Sequence, residues 1–216
     1  MFQDIINELN AKGARLVAVS KTKPVEAIQE IYNLGQRIFG ENRVQELVEK
    51  EALLPQDIEW HLIGHLQTNK VKYIAPFVQM IHSIDSLKLL KEVNKQALKN
   101  ERVIDCLLQM HIAEEESKFG LNQQEVEELL STLTFKEMQN VRVVGLMGMA
   151  TFTNDETQVR QEFRNLSTIF HSIKSQFFAD ENSFKEISMG MSGDYKIAID
   201  EGSTMVRIGS LIFGSR

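Results

Sequence analysis

Lys21 closes the apolar run Leu16-Val17-Ala18-Val19-Ser20-Lys21 and stands just before Thr22-Lys23-Pro24. Strand alternation puts Val17, Val19 and Lys21 on one face and Leu16, Ala18 and Ser20 on the other. An ammonium among aliphatics is disfavoured in its charged form, so its pKa falls and more of it is the free amine that attacks an aldehyde. The chemistry that follows is Schiff-base formation. The competing reading is a strand-end lysine in solvent, and the segment taken alone favours that reading.

Two glycine-rich stretches carry a second chemistry, Met189-Gly190-Met191-Ser192-Gly193-Asp194 and Gly209-Ser210. Glycines let backbone N–H groups approach a ligand, serines add hydroxyl donors, and a helix beginning near Asp194 presents unpaired amides. Together they suit a phosphate, although either alone is equally a turn capped by Ser192 or Asp194. Arg207 supplies the third chemistry. Alternation turns it opposite to Val206 and Ile208, toward a barrel mouth, where it needs a ligand nitrogen, an anion or a structural carboxylate as acceptor.

Elements that could position these groups follow one rhythm. Short apolar runs at Leu16–Lys21, Arg37–Gly40, Glu59–Ile63, Val78–Ser83, Val103–Ile112, Val141–Met149, Phe184–Ser188 and Met205–Ile208 read as strands. Amphipathic stretches at Val25–Leu34, Val44–Glu51, Thr68–Ile74, Ser86–Leu98, Gln123–Leu133, Glu156–Phe178 and Asp194–Ile199 read as the intervening helices. Alternating strands and helices imply a parallel sheet covered on both sides, and eight units close into a single (β/α)8 TIM barrel, with a doubly wound open sheet as runner-up. No linker divides the chain, so residues 1–216 read as one domain. In such barrels chemistry gathers where strands end, and that is where Lys21, Asn42, His65, Ser192 and Ser210 fall.

A lysine for an aldehyde, a phosphate cradle and an inward arginine together match pyridoxal 5'-phosphate, whose aldehyde, phosphate and ring nitrogen each need one such partner. Five segments carry a closer resemblance. Ala18-Val19-Ser20-Lys21-Thr22-Lys23-Pro24, Phe39-Gly40-Glu41-Asn42-Arg43-Val44-Gln45-Glu46, Trp60-His61-Leu62-Ile63-Gly64-His65-Leu66-Gln67-Thr68-Asn69-Lys70, Met189-Gly190-Met191-Ser192 and Val206-Arg207-Ile208-Gly209-Ser210 resemble the pyridoxal phosphate homeostasis protein family. That family's fold resembles the barrel domain of alanine racemase. The resemblance implies that Lys21 forms the Schiff base, that Arg207 faces the pyridine nitrogen, and that Ser192, Gly209 and Ser210 hold the phosphate. It places Asn42 near the ring and Ile63, His65 and Met147 along the pocket, with Lys118 as a secondary amine or a solvated lysine. Gly148 and Ser210 stand where the family commonly has threonine, and the segment before Leu16 looks short for a covering helix.

Composition bounds the function. The chain has 216 residues, 43% apolar and 25% charged, and a formal net charge of -6. That balance gives no basic footprint for nucleic acid. No apolar run reaches membrane-spanning length, and Met1-Phe2-Gln3-Asp4-Ile5-Ile6 lacks the basic start of a signal peptide, so the expectation is a cytoplasmic protein. Cys106 is the sole cysteine, read as packing within a buried strand. His61, His65, His82 and His111 lack the spacing of a metal site.

The phosphate loop lies within the last few positions, leaving no stretch for the second domain from which the racemase draws its other acid/base. An arginine at the ring nitrogen also disfavours a protonated pyridinium, the stronger electron sink. The resulting expectation is a monomeric, non-catalytic protein that stores, buffers or delivers pyridoxal phosphate, with apo-enzymes as recipients. The alternative is a low-rate amino-acid racemase acting through Lys21.

Overall fold

The computed structural model describes residues 2–113 and 119–214. Its strands are β1 (Arg15–Val19), β2 (Ile38–Glu41), β3 (Glu59–Leu62), β4 (Met80–Ile84), β5 (Ile104–Gln109), β6 (Val141–Met147), β7 (Glu186–Ser188) and β8 (Met205–Ile208). They close into a barrel in chain order, every neighbouring pair parallel. The helices are α1 (Phe2–Ala11), α2 (Val25–Asn33), α3 (Val44–Glu51), α4 (Val71–Ile74), α5 (Leu87–Lys99), α6 (Gln123–Ser131), α7 (Leu133–Lys136), α8 (Glu156–Phe177), α9 (Tyr195–Asp200) and α10 (Ser210–Phe213). The expected TIM barrel is therefore the fold, and the open sheet is excluded.

The strands are apolar on both faces because both are covered. Outward residues such as Ala18, Phe39, Trp60, Leu62 and Leu146 join the main core between barrel and helices. Cys106 lies in that layer, fully buried. Inward residues Val17, Met80, Leu107, Val144, Met147 and Met205 form a separate small cluster. It is small because polar residues share the interior, and those residues belong to the site.

Two helix starts follow clear sequence signals. Ser86 Oγ accepts from the Leu89 N–H to start α5, and Asn122 and Glu125 form a reciprocal capping box at α6. Thr132 ends α6 in extended backbone and caps α7, so the expected helix stops two residues before Leu133 and a further turn follows it. The segment before β1 forms a covering helix. Phe2, Ile5, Ile6 and Leu9 recur at helical spacing, and α1 packs Ile5 and Leu9 on Leu16, Val206 and Ile208 across the β1–β8 seam. Burying each of those two side chains contributes about 1.5–3 kcal/mol.

Candidate functional site at the carboxyl ends of the strands

β1 was expected to run through Lys21, but it ends at Val19. The Lys23 N–H turns back to the Ser20 carbonyl, and Thr22 has φ 64°. Left-handed backbone at a β-branched residue costs about 1–3 kcal/mol, and here the Glu46 carboxylate accepts the Thr22 N–H. Ser20 on the other side is buried and donates its hydroxyl to Glu41 Oε1 at 2.6 Å. Lys21 itself is half-buried, held between two anchored residues.

The register sets β1 between β8 and β2. Ala18 pairs with Ile208 and Val19 with Gly40, so the lysine emerges between the ends of β8 and β2. Gly209 lies so close to β1 that a Cβ there would sit 3.0 Å from the Val19 carbonyl oxygen. Its N–H donates to Ser192 Oγ at 3.3 Å, tying the loop after β7 to the loop after β8. Ser210 is exposed and opens α10, whose last carbonyls, Phe213 and Gly214, accept from Lys23 Nζ at 3.0 and 3.1 Å. Lys23 is thus a brace for this end of the chain. Lys118, named as a secondary amine, lies outside the described residues.

Arg207 points into the barrel as alternation requires, with Val206 and Ile208 packed under α1. Its acceptors among the described residues are not the alternative structural carboxylate. Nη1 donates to Ser188 Oγ at 2.6 Å and Nη2 to the Gly148 carbonyl at 3.0 Å. Of its five N–H groups, the other three find no acceptor among the described residues. Burial brings its pKa down to about 10, with Asp194 pulling the other way.

Met147 is fully buried in the inner cluster and Ile63 packs against it from the end of β3. Asn42 follows β2 and is partly exposed. His65 departs from the expected wall position. Its side chain is 50% exposed, Nδ1 lies 3.4 Å from Asp85 Oδ2, and the ring stacks on Phe119 at 5.0 Å. That makes it a rim residue. A Cβ on Gly148 would meet Ile112 Cδ1 and Leu166 Cδ2, both at 2.8 Å, so a threonine there requires those two side-chain ends to shift.

Gly64 fixes how closely the loop after β3 approaches the loop after β2. A Cβ there would fall 2.3 Å from the Asn42 carbonyl oxygen. Because the obstacle is backbone, Gly64→Ala should displace Asn42 and cost about 1–3 kcal/mol. Chemical denaturation of the variant checks it; an unchanged midpoint would mean that the two loops separate freely.

The family model described as alanine racemase, N-terminal domain, matches residues 2–216. A curated relative from Aquifex aeolicus, named pyridoxal phosphate homeostasis protein, is 43% identical over 204 residues, covering 94% of this chain and 87% of the relative. The chain belongs to the pyridoxal phosphate homeostasis protein family. An Escherichia coli member of the same name is 38% identical over 205 residues, covering 93% of this chain and 85% of that one. The structure of PipY from Synechococcus elongatus with PLP bound matches with a TM-score of 0.88 at 32% identity, covering 99% of this chain and 100% of that chain. Alanine racemase from Bartonella henselae shares the fold, with a TM-score of 0.68 at 14% identity over 59% of its own length.

Two groups of residues in this family member escaped sequence reading. Behind Lys21, Lys50 Nζ donates to the Ser20 carbonyl at 2.8 Å, Glu41 Oε1 at 2.7 Å and Glu46 Oε1 at 2.6 Å. The Glu46–Lys50 spacing was a visible helical pair; the burial of Lys50 against β2 was not. Burial raises the Glu41 pKa above 4.5 although Lys50 and Ser20 oppose it. The second group is His61, His82 and Ser188, all buried within the barrel.

Proposed function

We propose that this chain binds pyridoxal 5'-phosphate through Lys21 and serves in the cytoplasm as a reservoir and donor of that cofactor to apo-enzymes, acting as a monomer without robust catalysis. The observation that carries the reading is the buried guanidinium of Arg207, held by Ser188 and Gly148 with three N–H groups uncommitted. It lies two residues along β8 from Gly209, at the end where Lys21 emerges.

Pyridoxal phosphate supplies an aldehyde that condenses reversibly with a primary amine, together with a pyridine nitrogen and a phosphate. Lys21 would provide the amine. Arg207 would donate to the ring nitrogen, which holds that nitrogen as an acceptor and weakens the ring as an electron sink. The Ser192 and Ser210 hydroxyls would donate to the phosphate, and the Gly209 amide would do so on leaving Ser192 Oγ. Asn42, Ile63 and Met147 would bound the ring, and His65 with Phe119 would shield the rim.

The test is the visible absorption of the protein after incubation with pyridoxal phosphate and removal of the excess. A band well to the red of the free aldehyde, lost in Lys21→Ala, supports the reading; its persistence in that variant overturns Lys21. Transfer of the bound cofactor to an apo-enzyme tests the donor role. Steady exchange of solvent deuterium into the α carbon of common amino acids, dependent on Lys21, would count against the non-catalytic role.

A further inference from the structure

A line of polar groups crosses the barrel interior from Arg207 toward its opposite end. Arg207 Nη1 donates to Ser188 Oγ at 2.6 Å, Ser188 Oγ lies 3.0 Å from His82 Nδ1, and His82 Nε2 lies 3.0 Å from His61 Nδ1. All four residues are buried, at 4%, 0%, 0% and 1% exposure in that order. His61 then lines a cavity of about 280 Å³ at the amino ends of the strands, beside Arg15, Asp105, Arg142 and Glu186.

Proton positions follow from the donors available. A guanidinium only donates, so Ser188 Oγ accepts from it. The serine must then place its own proton on an acceptor, and His82 Nδ1 is the one within reach. His82 Nε2–H therefore donates to His61 Nδ1, and the remaining His61 proton sits on Nε2. In the reversed order the Ser188 hydroxyl would have no acceptor among the described residues, a buried loss of about 1–3 kcal/mol by general experience. Both imidazoles are neutral: burial, with the Arg15 charge adding to it, brings His61 to about 3, and burial, His61, Arg207 and Arg15 hold His82 well below 6.5.

We propose that Ser188, His82 and His61 are positioning residues for Arg207, forming a one-directional hydrogen-bond chain that fixes which guanidinium N–H groups remain for the ligand. The proposal rests on the pyridoxal phosphate reading for its ligand and on the barrel interior alone for the chain. His82 faces His61 from β3, Ser188 from β7 and the Arg207 charge from β8, so loss of any link leaves its neighbour with one buried hydrogen bond unmade. Arg207 then rotates, and the donor geometry at the ring nitrogen is lost while Lys21 and the phosphate loops stay in place.

Two measurements test this. Nitrogen-15 NMR of the cofactor-free protein should show His82 and His61 both with bare Nδ1 and protonated Nε2; a protonated His82 Nδ1 overturns the chain without reference to any ligand. Pyridoxal phosphate titration of Ser188→Ala and His82→Leu should give affinity about tenfold weaker, the scale of one hydrogen bond to a charged group, with a shifted pH midpoint of the visible band. His82→Gln, which keeps both an acceptor and a donor, should restore both. Wild-type affinity, band and pH midpoint in folded His82→Leu would overturn the positioning role. Absence of any band in the unmodified protein would defeat the ligand reading and remove the chain's assigned role, and the NMR result would report separately on the proton order.

Discussion

Lys50→Met is expected to lower the free energy of unfolding by about 3–5 kcal/mol, the cost of removing one partner from a buried ion pair. The side chain of Lys50 is 7% exposed and that of its partner Glu41 is fully buried. Glu41 Oε2 has no hydrogen-bond partner among the described residues, so the carboxylate depends on Lys50 and on the Ser20 hydroxyl at Oε1. Methionine matches the aliphatic stem of lysine and takes away only the ammonium, which leaves a desolvated anion.

The pH dependence gives this prediction its signature. The folded pKa of Glu41 is raised, so the native state binds its proton more tightly than the unfolded chain does. That contribution is present below 4.5 and lost as pH rises through the folded value. Without Lys50 the folded value rises further, and the loss extends to higher pH. The deficit of Lys50→Met should accordingly be larger at pH 8 than at pH 5 in urea denaturation. Adding Glu41→Leu should recover much of it, because an apolar pair can replace a buried ionic one. Equal deficits at the two pH values would show that Glu41 is not the group left uncompensated.

The same network explains why part of the site was legible and part was not. Alternation in Leu16–Lys21 put Val17 and Ser20 on opposite faces, as they are, but the strand's early end depends on the Thr22 turn and its Glu46 acceptor, a contact between distant segments. Arg207 was readable because Val206 and Ile208 flank it. Trp60 and Leu62 flank His61 in the same way, with both aliphatic and aromatic neighbours outward, yet histidine spacing drew attention to metals instead of to the strand period. Lys50 had no such signal, since which face of α3 meets β2 is a matter of packing. The periodicity of Phe2, Ile5, Ile6 and Leu9 was present and sufficient for α1.

Acid should destabilise this protein well before its carboxylates titrate. His61 and His82 are neutral in the fold and take up protons once unfolded, because burial holds their folded values far below 6.5. A depressed folded value means stability that is full above 6.5 and declines as pH falls toward the folded value, about 3 for His61. Each imidazole contributes a slope of about 1.4 kcal/mol per pH unit across that window. Glu41 acts in the opposite sense as pH falls toward 4.5, and the lowered carboxylates, such as Glu201, act only below it. The interval from pH 6.5 to 4.5 therefore reports the two histidines with one partial offset. His82→Gln keeps a neutral donor and acceptor between Ser188 and His61, so its own slope contribution disappears while the network persists. The fall in stability over that interval should be steep in the parent and about half as steep in the variant. A parent whose stability is flat from pH 6.5 to 4.5 would mean that His61 and His82 accept protons inside the barrel, with Arg207 alongside them.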